Sequence, residues 1–329
     1  MRVPTAATWL APDDFDLRSA AHQAHTRTSS PKKSTGGLQA LKSWPERPLE
    51  AHRVQASQAG SRHSRQATAS HSISKVKFGI AGEYCQIRTA DGRVHTGTAV
   101  LVKSSVHVHR EPVADKEWKK DEVEIRLDAA VTNAAQTRAL GIEVGDMIAW
   151  DPRTTVTETG YVKSRHLDDK AGVAVMLGAL QALIAAEIGP AQRTTFHFSN
   201  FEEVGHGAAA GIPDDVAELI AVDMGAIGDG LQGNEHAVSI CAKDSGGPYD
   251  LGLRRRLVTL AQAHAIPFVL DIYPFYGSDA EAALRAGGDY RIGLLGPGVD
   301  ASHSFERTHR DGLLASTQLL LAYLLDDGR

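Results

Sequence analysis

The sequence predicts an α/β fold, a three-layer sandwich with a mostly parallel sheet into which a small β-barrel domain is inserted. From residue 156 onward, apolar strands alternate with helices, which is typical of a layered fold with a largely parallel sheet. Residues 75–155 instead contain several short strands separated by glycine turns and no long helix, which favours a small barrel. Residues 1–74 differ from both regions because they are polar and basic.

The N-terminal segment, residues 1–74, has too few apolar side chains to form a core. Residues 20–70 contain only four Leu, Ile, Val or Phe residues. Such a segment cannot bury enough apolar area to offset its conformational entropy, so we expect it to be disordered. Residues 1–75 carry 11 Lys or Arg against 5 Asp or Glu. Basic stretches are usually only solvated, however, and we expect no nucleic-acid partner.

The overall composition indicates where the protein is located and which classes of protein can be excluded. The 329 residues carry a net charge of -5, which gives no indication of binding to nucleic acid or to an anionic membrane. The two cysteines, Cys85 and Cys241, are too few for a disulfide scaffold and favour a reducing, cytoplasmic location. We find no secretory signal and no apolar run that we expect to span a bilayer.

The expected barrel region, residues 75–155, begins with the alternating run EYCQIRTADGRVHTGTAVLVKSS. This run is broken at Asp91-Gly92, which is a strong hairpin signal. Two further runs, EVEIRLDAAV and GIEVGDMIAWDP, have the same short-strand character.

The last region, residues 156–329, mixes helical and strand periodicities. A long apolar run over 169–189 predicts a helix, and RTTFHFSN at 193–200 predicts a buried strand. Further strands are predicted over 217–224, 237–243, 266–272 and 290–296, and further helices over 250–265 and 309–327.

Two pairs of acidic residues lie where elements of this region change direction. Asp168 and Asp169 stand immediately before a helix, where helix capping is an alternative explanation. Glu202 and Glu203 follow the strand predicted at 193–200, so one could hold a metal while the other reaches a water molecule. A solvated acidic turn is the alternative for the glutamates.

Two further positions join these pairs. Asp223 ends an apolar strand, and a carboxylate there is costly unless it is paired or holds a metal. His303 lies in a loop before the last helix, in a segment that also contains Glu306 and His309. A mixed carboxylate and imidazole set suits a pair of divalent transition ions such as Zn, Co or Mn.

These motifs, in this order, resemble the M42 family of metallo-aminopeptidases over about residues 75–329. The resemblance rests on SRHLDDKAGVA, EEVG, the VD at a strand end, GSDA at 277–280 and DASHSFERTH at 300–309. EYCQIRTADGR, KSSVHVH and ALGIEVGD resemble the branch associated with gene clusters for an N-acetylglutaminylglutamine amide osmoprotectant. The resemblance implies a zinc-peptidase-like sandwich whose inserted small β-barrel takes part in homo-oligomer assembly.

The resemblance also implies a role for each metal ligand. Asp168 would bridge two divalent ions, Zn or Co, and would join Asp169 through an unusual peptide bond. Glu203 and His303 would complete the shell of one ion, and Asp223 would help to hold the other.

The reaction implied by the resemblance is removal of the N-terminal residue of a peptide. Glu202 would act as general base and then as general acid, taking a proton from the attacking water and passing it to the leaving amine. Asp279 of GSDA would recognise the substrate amine.

One part of the family pattern is missing. The family supplies a further ligand from an early strand of the form His-x-Asp, and residues 1–75 contain no such motif. A shifted reading frame, a gene remnant or a mispredicted start would produce such a segment. Two alternatives to the aminopeptidase stay open: a two-metal N-acyl amide hydrolase (a deacylase), and a catalytically impaired remnant that lacks one metal-binding histidine. Glucan hydrolysis by paired carboxylates would leave His303 unexplained.

Overall fold

The computed structural model describes residues 81–109 and 123–327. The expected disordered segment, residues 1–74, lies outside the described residues. The chain divides into two compact units. Within the described residues, one unit holds 81–109, 123–153 and 303–305, and the other holds 154–302 and 306–327.

The smaller unit is built on one antiparallel sheet with the strand order β3-β2-β1-β4. The hairpin between β1 and β2 turns at Asp91-Gly92, as predicted, and Gly92 has a φ of 86° that favours glycine. The elements are β1 (Tyr84–Arg88), β2 (Val94–Leu101), α1 (Val106–His109), β3 (Val123–Leu127), α2 (Ala134–Ala139) and β4 (Met147–Trp150).

Alternate side chains of this sheet form the core of the smaller unit. Cys85 and Ile87 of β1 pack with Ala99 of β2 and Ile125 of β3, and all four are buried. The predicted small β-barrel is not confirmed, because no sheet of the described residues closes. Closure requires the two outer strands of a sheet to pair, and β3 and β4 remain the outer strands of an open sheet in the described part of the chain.

The larger unit confirms the predicted α/β class. Its five-stranded sheet has the order β10-β9-β11-β7, with β8 also paired to β11. The pairs β10/β9, β11/β7 and β11/β8 are parallel, whereas β11/β9 is antiparallel. The strands are β5 (Thr155–Val156), β6 (Tyr161–Ser164), β7 (Glu218–Val222), β8 (Gly225–Ala226), β9 (Val238–Lys243), β10 (Phe268–Ile272), β11 (Arg291–Val299) and β12 (Glu306–His309). A second, antiparallel sheet has the order β12-β6-β5.

Two helices of the larger unit begin at a residue whose side chain caps them. Asp250, for example, accepts a hydrogen bond from the main-chain N–H of Leu253 at 2.7 Å and so caps one of them. The helices of this unit are α3 (Leu167–Ala186), α4 (Leu251–Ala263), α5 (Asp279–Arg285) and α6 (Arg310–Leu325).

The two faces of the five-stranded sheet pack against different helices. Leu295 of β11 packs with Leu257 of α4 and Leu319 of α6. Its neighbour Leu294 points to the opposite face and packs with Ala280 of α5. Complete burial of one such leucine stabilises the fold by about 1.5–3 kcal/mol, so both faces contribute to the stability of the unit.

Helix α3 packs against α6 and is the most apolar helix of the larger unit. Val175 and Leu183 are buried against Leu320 and Leu324. By length and composition this helix could cross a membrane, contrary to the expectation that no apolar run is long enough, and 28% of its most apolar window is buried. One such helix is weak evidence for a membrane span, because core helices pass the same test.

The prediction of a buried strand over residues 193–200 is wrong. This segment is not a strand, and no backbone–backbone hydrogen bond joins it to another described residue. An apolar run becomes a strand only when a neighbouring strand accepts and donates its main-chain hydrogen bonds. Phe196 nevertheless packs beside the α3–α6 cluster, whereas Phe198 is exposed.

Candidate metal centre

The candidate site lies where strands β7 and β11 of the sheet end. These two strands are parallel, so their carboxyl ends lie at the same edge of the sheet. Asp223 directly follows β7, and the segment that leads to His303 follows β11. Asp168 lies in the first turn of α3.

Three of the predicted ligands come together. Asp168, Glu203 and His303 each offer one ligand atom, and these atoms all lie within 4.8 Å of one another. Ligands bound to one ion at about 2.0–2.2 Å lie up to roughly 4 Å apart, so small side-chain movements would bring these atoms into one coordination shell. All three residues are partly buried.

The two aspartates at the start of α3 have different roles. Asp169 accepts a hydrogen bond from the main-chain N–H of Gly172 at 3.1 Å, which is the capping interaction considered above. Asp168 has a non-helical backbone, with φ -83° and ψ 104°, and its carboxylate joins the ligand cluster. The peptide bond between Asp168 and Asp169 is cis, which confirms the unusual bond implied by the resemblance.

Burial and like charges raise the pKa of three aspartates at this site, Asp168, Asp169 and Asp223. Burial raises the pKa of Asp168 well above its ordinary value, and the charges of Asp223 and Glu203 raise it further. Burial, together with the charge of Asp223, likewise raises the pKa of Asp169. Burial raises the pKa of Asp223 to about 7. A set of crowded carboxylates next to an imidazole is stabilised by a divalent cation, so this donor set fits a metal centre.

Glu202 and Glu203 lie in one short turn of 3₁₀ helix, Glu202–Val204. Phe201 before the turn and Gly205 after it both have positive φ, 67° and 83°. Glu203 contributes to the ligand cluster. Glu202 is not part of that cluster, but it adjoins Glu203 in the chain and its charge helps to raise the pKa of Asp168 and Asp169.

Asp279 holds the loop that carries the two glutamates. One of its carboxylate oxygens accepts a hydrogen bond from the Ser199 hydroxyl, and the other accepts one from the main-chain N–H of Ala208 at 3.0 Å. Both ends of the loop are therefore attached to the start of α5. Recognition of a substrate amine by Asp279 stays a prediction, and the structure adds a positioning role.

Two further residues support the cluster and were not predicted from the sequence. Glu306 is buried and accepts a hydrogen bond from the main-chain N–H of Asp168 at 3.1 Å. Tyr276 donates from its hydroxyl to the main-chain oxygen of Met224 at 2.8 Å. Burial, followed by the charge of Asp223, raises the pKa of Tyr276 well above its ordinary value. Both residues adjoin motifs noted above, since Glu306 lies within DASHSFERTH and Tyr276 directly precedes GSDA.

An α/β sheet with clustered carboxylates and a histidine at its carboxyl edge is an architecture of metal-dependent hydrolases. The family model of the M42 glutamyl aminopeptidases matches residues 77–319. The chain therefore belongs to the M42 glutamyl aminopeptidase family, and it is a hydrolase with a peptidase function.

Known relatives agree with this assignment. YhfE of Bacillus subtilis (strain 168), a protein named as an aminopeptidase, is 49% identical over 245 residues, which are 74% of this chain and 70% of YhfE. Among solved structures, the TET aminopeptidase of Thaumarchaeota archaeon SCGC AB-539-E09 has a TM-score of 0.67 at 18% identity, covering 83% of this chain and 77% of that one. The TET1 peptidase of Pyrococcus horikoshii has the same TM-score at 20% identity, covering 83% and 80%. At these identities the two structures support the fold alone.

Proposed function

We propose that this chain is a metal-dependent aminopeptidase that removes N-terminal residues from peptides with the help of two divalent ions, Zn or Co. The proposal rests on one observation: the ligand atoms of Asp168, Glu203 and His303 all lie within 4.8 Å of one another. These residues come from three separate segments of the chain and offer carboxylate and imidazole donors, which suit such ions.

Four residues would hold the two ions. Asp168 would contribute to both, Glu203 and His303 to one, and Asp223 to the other. When bound, the ions would polarise the peptide carbonyl and make the attacking water more acidic.

Glu202 moves the proton in this proposal. It lies in the same turn as Glu203 and its charge acts on Asp168, so it is beside the ligands without being one of the three clustered donors. Glu202 accepts a proton from the attacking water and donates it to the amine that leaves when the peptide bond breaks. Asp279 and Glu306 keep the two acidic segments in place through their hydrogen bonds.

The second ion has fewer protein ligands than the first. Only Asp168 and Asp223 are assigned to it, because the early His-x-Asp motif of the family does not occur in residues 1–75. Fewer ligands lower the affinity of a site for its metal. We therefore propose that one ion binds more tightly than the other, and that full activity requires added metal.

Aminoacyl p-nitroanilides and their N-acetylated counterparts separate the proposed activity from its main rival. The aminopeptidase requires a free amine, so the aminoacyl compounds should release p-nitroaniline and the acetylated ones should not. Release of acetate from the acetylated compounds, without release of p-nitroaniline from the aminoacyl ones, indicates the deacylase. No turnover of either compound, together with fewer than two ions per chain in anomalous scattering, indicates a catalytically impaired remnant.

We propose that the enzyme is a homo-oligomer located in the cytoplasm. Two structural neighbours support assembly, since PhTET1-12s is a dodecamer and the TET1 peptidase of Pyrococcus horikoshii assembles into a tetrahedron or a large octahedral shell. The smaller unit of this chain is the proposed contact surface, because the resemblance assigns assembly to the inserted domain. A peptide is the only partner expected besides further copies of the chain, without nucleic acid or membrane. Light scattering of the purified protein tests the assembly.

A further inference from the structure

Tyr276 sends its hydroxyl into the protein from an exposed stretch of chain. It lies between β10 and α5, where Phe275 before it is 96% exposed and Gly277 after it is exposed as well. The Tyr276 hydroxyl donates to the main-chain oxygen of Met224, 2.8 Å away and 52 positions earlier in the chain. A large apolar side chain in solvent beside a polar group turned inward is the opposite of the usual distribution. Burial of apolar surface therefore does not explain the conformation of this loop.

Two contacts hold Tyr276 in this position. Its main-chain oxygen accepts hydrogen bonds from the main-chain N–H of Ser245, at 3.1 Å, and from the Ser245 hydroxyl. Its ring lies 5.0 Å from the ring of Tyr273, centroid to centroid. Because a tyrosine side chain has only two torsions, a fixed backbone and a packed ring leave its hydroxyl little freedom.

The Tyr276 hydroxyl holds the residue next to a proposed metal ligand. Met224 directly follows Asp223, and its main-chain N–H donates to Oδ1 of Asp223 at 2.7 Å. Its main-chain oxygen accepts from Tyr276, and its side chain is buried with Leu167 and Ala171 at the start of α3. Met224 is therefore fixed at three points, and through its N–H it fixes the rotation of the Asp223 carboxylate.

The Tyr276 hydroxyl also lies beside the Asp223 carboxylate itself. Burial raises the pKa of Asp223 to about 7, and a hydrogen bond to Tyr276 is among the contacts that oppose this rise. Burial and then the charge of Asp223 raise the pKa of Tyr276 well above its ordinary value. The phenol therefore stays neutral and keeps a hydrogen to donate.

We propose that Tyr276 is a positioning residue for Asp223 and thereby controls how tightly the second ion binds. This inference rests on the proposed function, which assigns Asp223 to that ion. Groups that hydrogen-bond to a metal ligand orient it, and their removal typically lowers metal affinity about 10–100-fold. The first ion, held by Asp168, Glu203 and His303, does not depend on Asp223.

Zinc titration of the metal-free full chain against a chromophoric chelator tests the role of the hydroxyl. Tyr276→Phe keeps the ring and removes only the hydroxyl. In this variant the dissociation constant of the weaker ion should rise about tenfold, whereas that of the tighter ion should not change. Tyr273→Phe is the matched control, because it removes a hydroxyl from the other ring of the pair. Both of its constants should equal those of the parent protein.

Hydrolysis of an aminoacyl p-nitroanilide in zinc-buffered solution separates positioning from a general loss of structure. The zinc concentration that gives half the maximal rate should rise about tenfold in Tyr276→Phe. At saturating zinc, kcat should equal that of the parent, because Glu202 and all the ligands are still present. A partly unfolded variant would instead lose kcat at every zinc concentration. Should Tyr276→Phe not fold, Ser245→Ala replaces it, since this change removes one hydrogen bond to the main-chain oxygen of Tyr276. Ser245→Ala should raise the weaker constant alone, by less than tenfold.

The parent protein and the variants report on different claims. Two constants that stay unchanged in Tyr276→Phe, or that rise equally, would overturn the role of Tyr276 and leave the proposed function intact. An equal rise of the weaker constant in Tyr273→Phe would also overturn it, because loss of either hydroxyl would then loosen the site. A parent protein that binds fewer than two ions would overturn the proposed function itself, and the inference with it.

Discussion

The main-chain N–H of Asp168 donates a hydrogen bond to the buried carboxylate of Glu306, 3.1 Å away. The two residues are 138 positions apart in the chain. This bond joins the turn that carries the central ligand of the candidate metal centre to the strand that follows the His303 loop. Glu306 also raises the pKa of Asp168 through its charge, after burial and the charges of Asp223 and Glu203.

Replacing Glu306 should therefore affect metal binding through the position of Asp168. In Glu306→Ala the buried N–H of Asp168 loses its acceptor, at a cost of about 1–3 kcal/mol of unfolding free energy. Glu306→Gln keeps an acceptor oxygen and should be the milder variant. Urea denaturation and zinc titration of both proteins check this order. Equal losses of stability and of zinc affinity in the two variants would show that the hydrogen bond between Asp168 and Glu306 does not determine either property.

Glu202→Gln should separate proton transfer from metal binding. Glutamine has nearly the shape of glutamate but cannot accept the proton, so kcat should fall by about 10²–10⁴-fold. The zinc content of the protein should not change, because Glu202 is outside the cluster of Asp168, Glu203 and His303. Glu203→Gln is the control and should lose zinc. Full activity in Glu202→Gln would assign the proton transfer to another group.

Sequence periodicity predicted most elements of the larger unit but could not predict their partners. The strands at 217–224 and 290–296 occur as Glu218–Val222 and Arg291–Val299, because their apolar runs lie in a sheet covered on both faces. The segment 193–200 has a similar run and is not a strand. Composition shows that a segment can be buried, but it does not show whether a neighbouring strand is available for pairing.

In the candidate site, too, the sequence did not show which side chain has which role. Asp168 and Asp169 are equivalent in sequence, and either could have been the cap or the ligand. The structure separates them, since Asp169 accepts from Gly172 and Asp168 joins the cluster. Glu306 was noted only as part of a motif, because a hydrogen bond across 138 residues leaves no local pattern.

Zinc should stabilise the protein most at alkaline pH. The pKa of Asp223 is raised to about 7 by burial, compared with about 3.9 when unfolded. Without metal, the fold favours the protonated acid, so stability is lost as the pH rises from about 4 through 7. Bound zinc favours the ionised acids instead. Thermal melting curves with EDTA and with Zn²⁺ should therefore diverge as the pH rises from about 4 to about 7.

The control for this melting experiment is Glu202→Gln, which should keep the stabilisation because its proposed ligands are intact. A zinc effect that does not grow with pH would contradict the proposed role of the buried carboxylates as ligands.

A second buried carboxyl group, Glu281 of α5, should give the protein a pH-dependent stability that metal does not affect. Burial and then a hydrogen bond to Asp244 raise the pKa of Glu281 to about 7, although Arg285 opposes the shift. Asp244 is fully buried and accepts a hydrogen bond from the Tyr249 hydroxyl at 2.7 Å. Glu281 is therefore mostly protonated in the folded protein below about pH 7.

Glu281→Gln tests this pair, because glutamine can still donate a hydrogen bond to Asp244 and never ionises. The parent protein loses stability as the pH rises from about 4.5 through 7, whereas the variant does not. The unfolding free energy of the variant relative to the parent should thus increase by about 2 kcal/mol between pH 5 and pH 8. Urea denaturation of both proteins at the two pH values, in EDTA, measures this difference. A constant difference across the two pH values would mean that Glu281 is already ionised in the folded protein at pH 5.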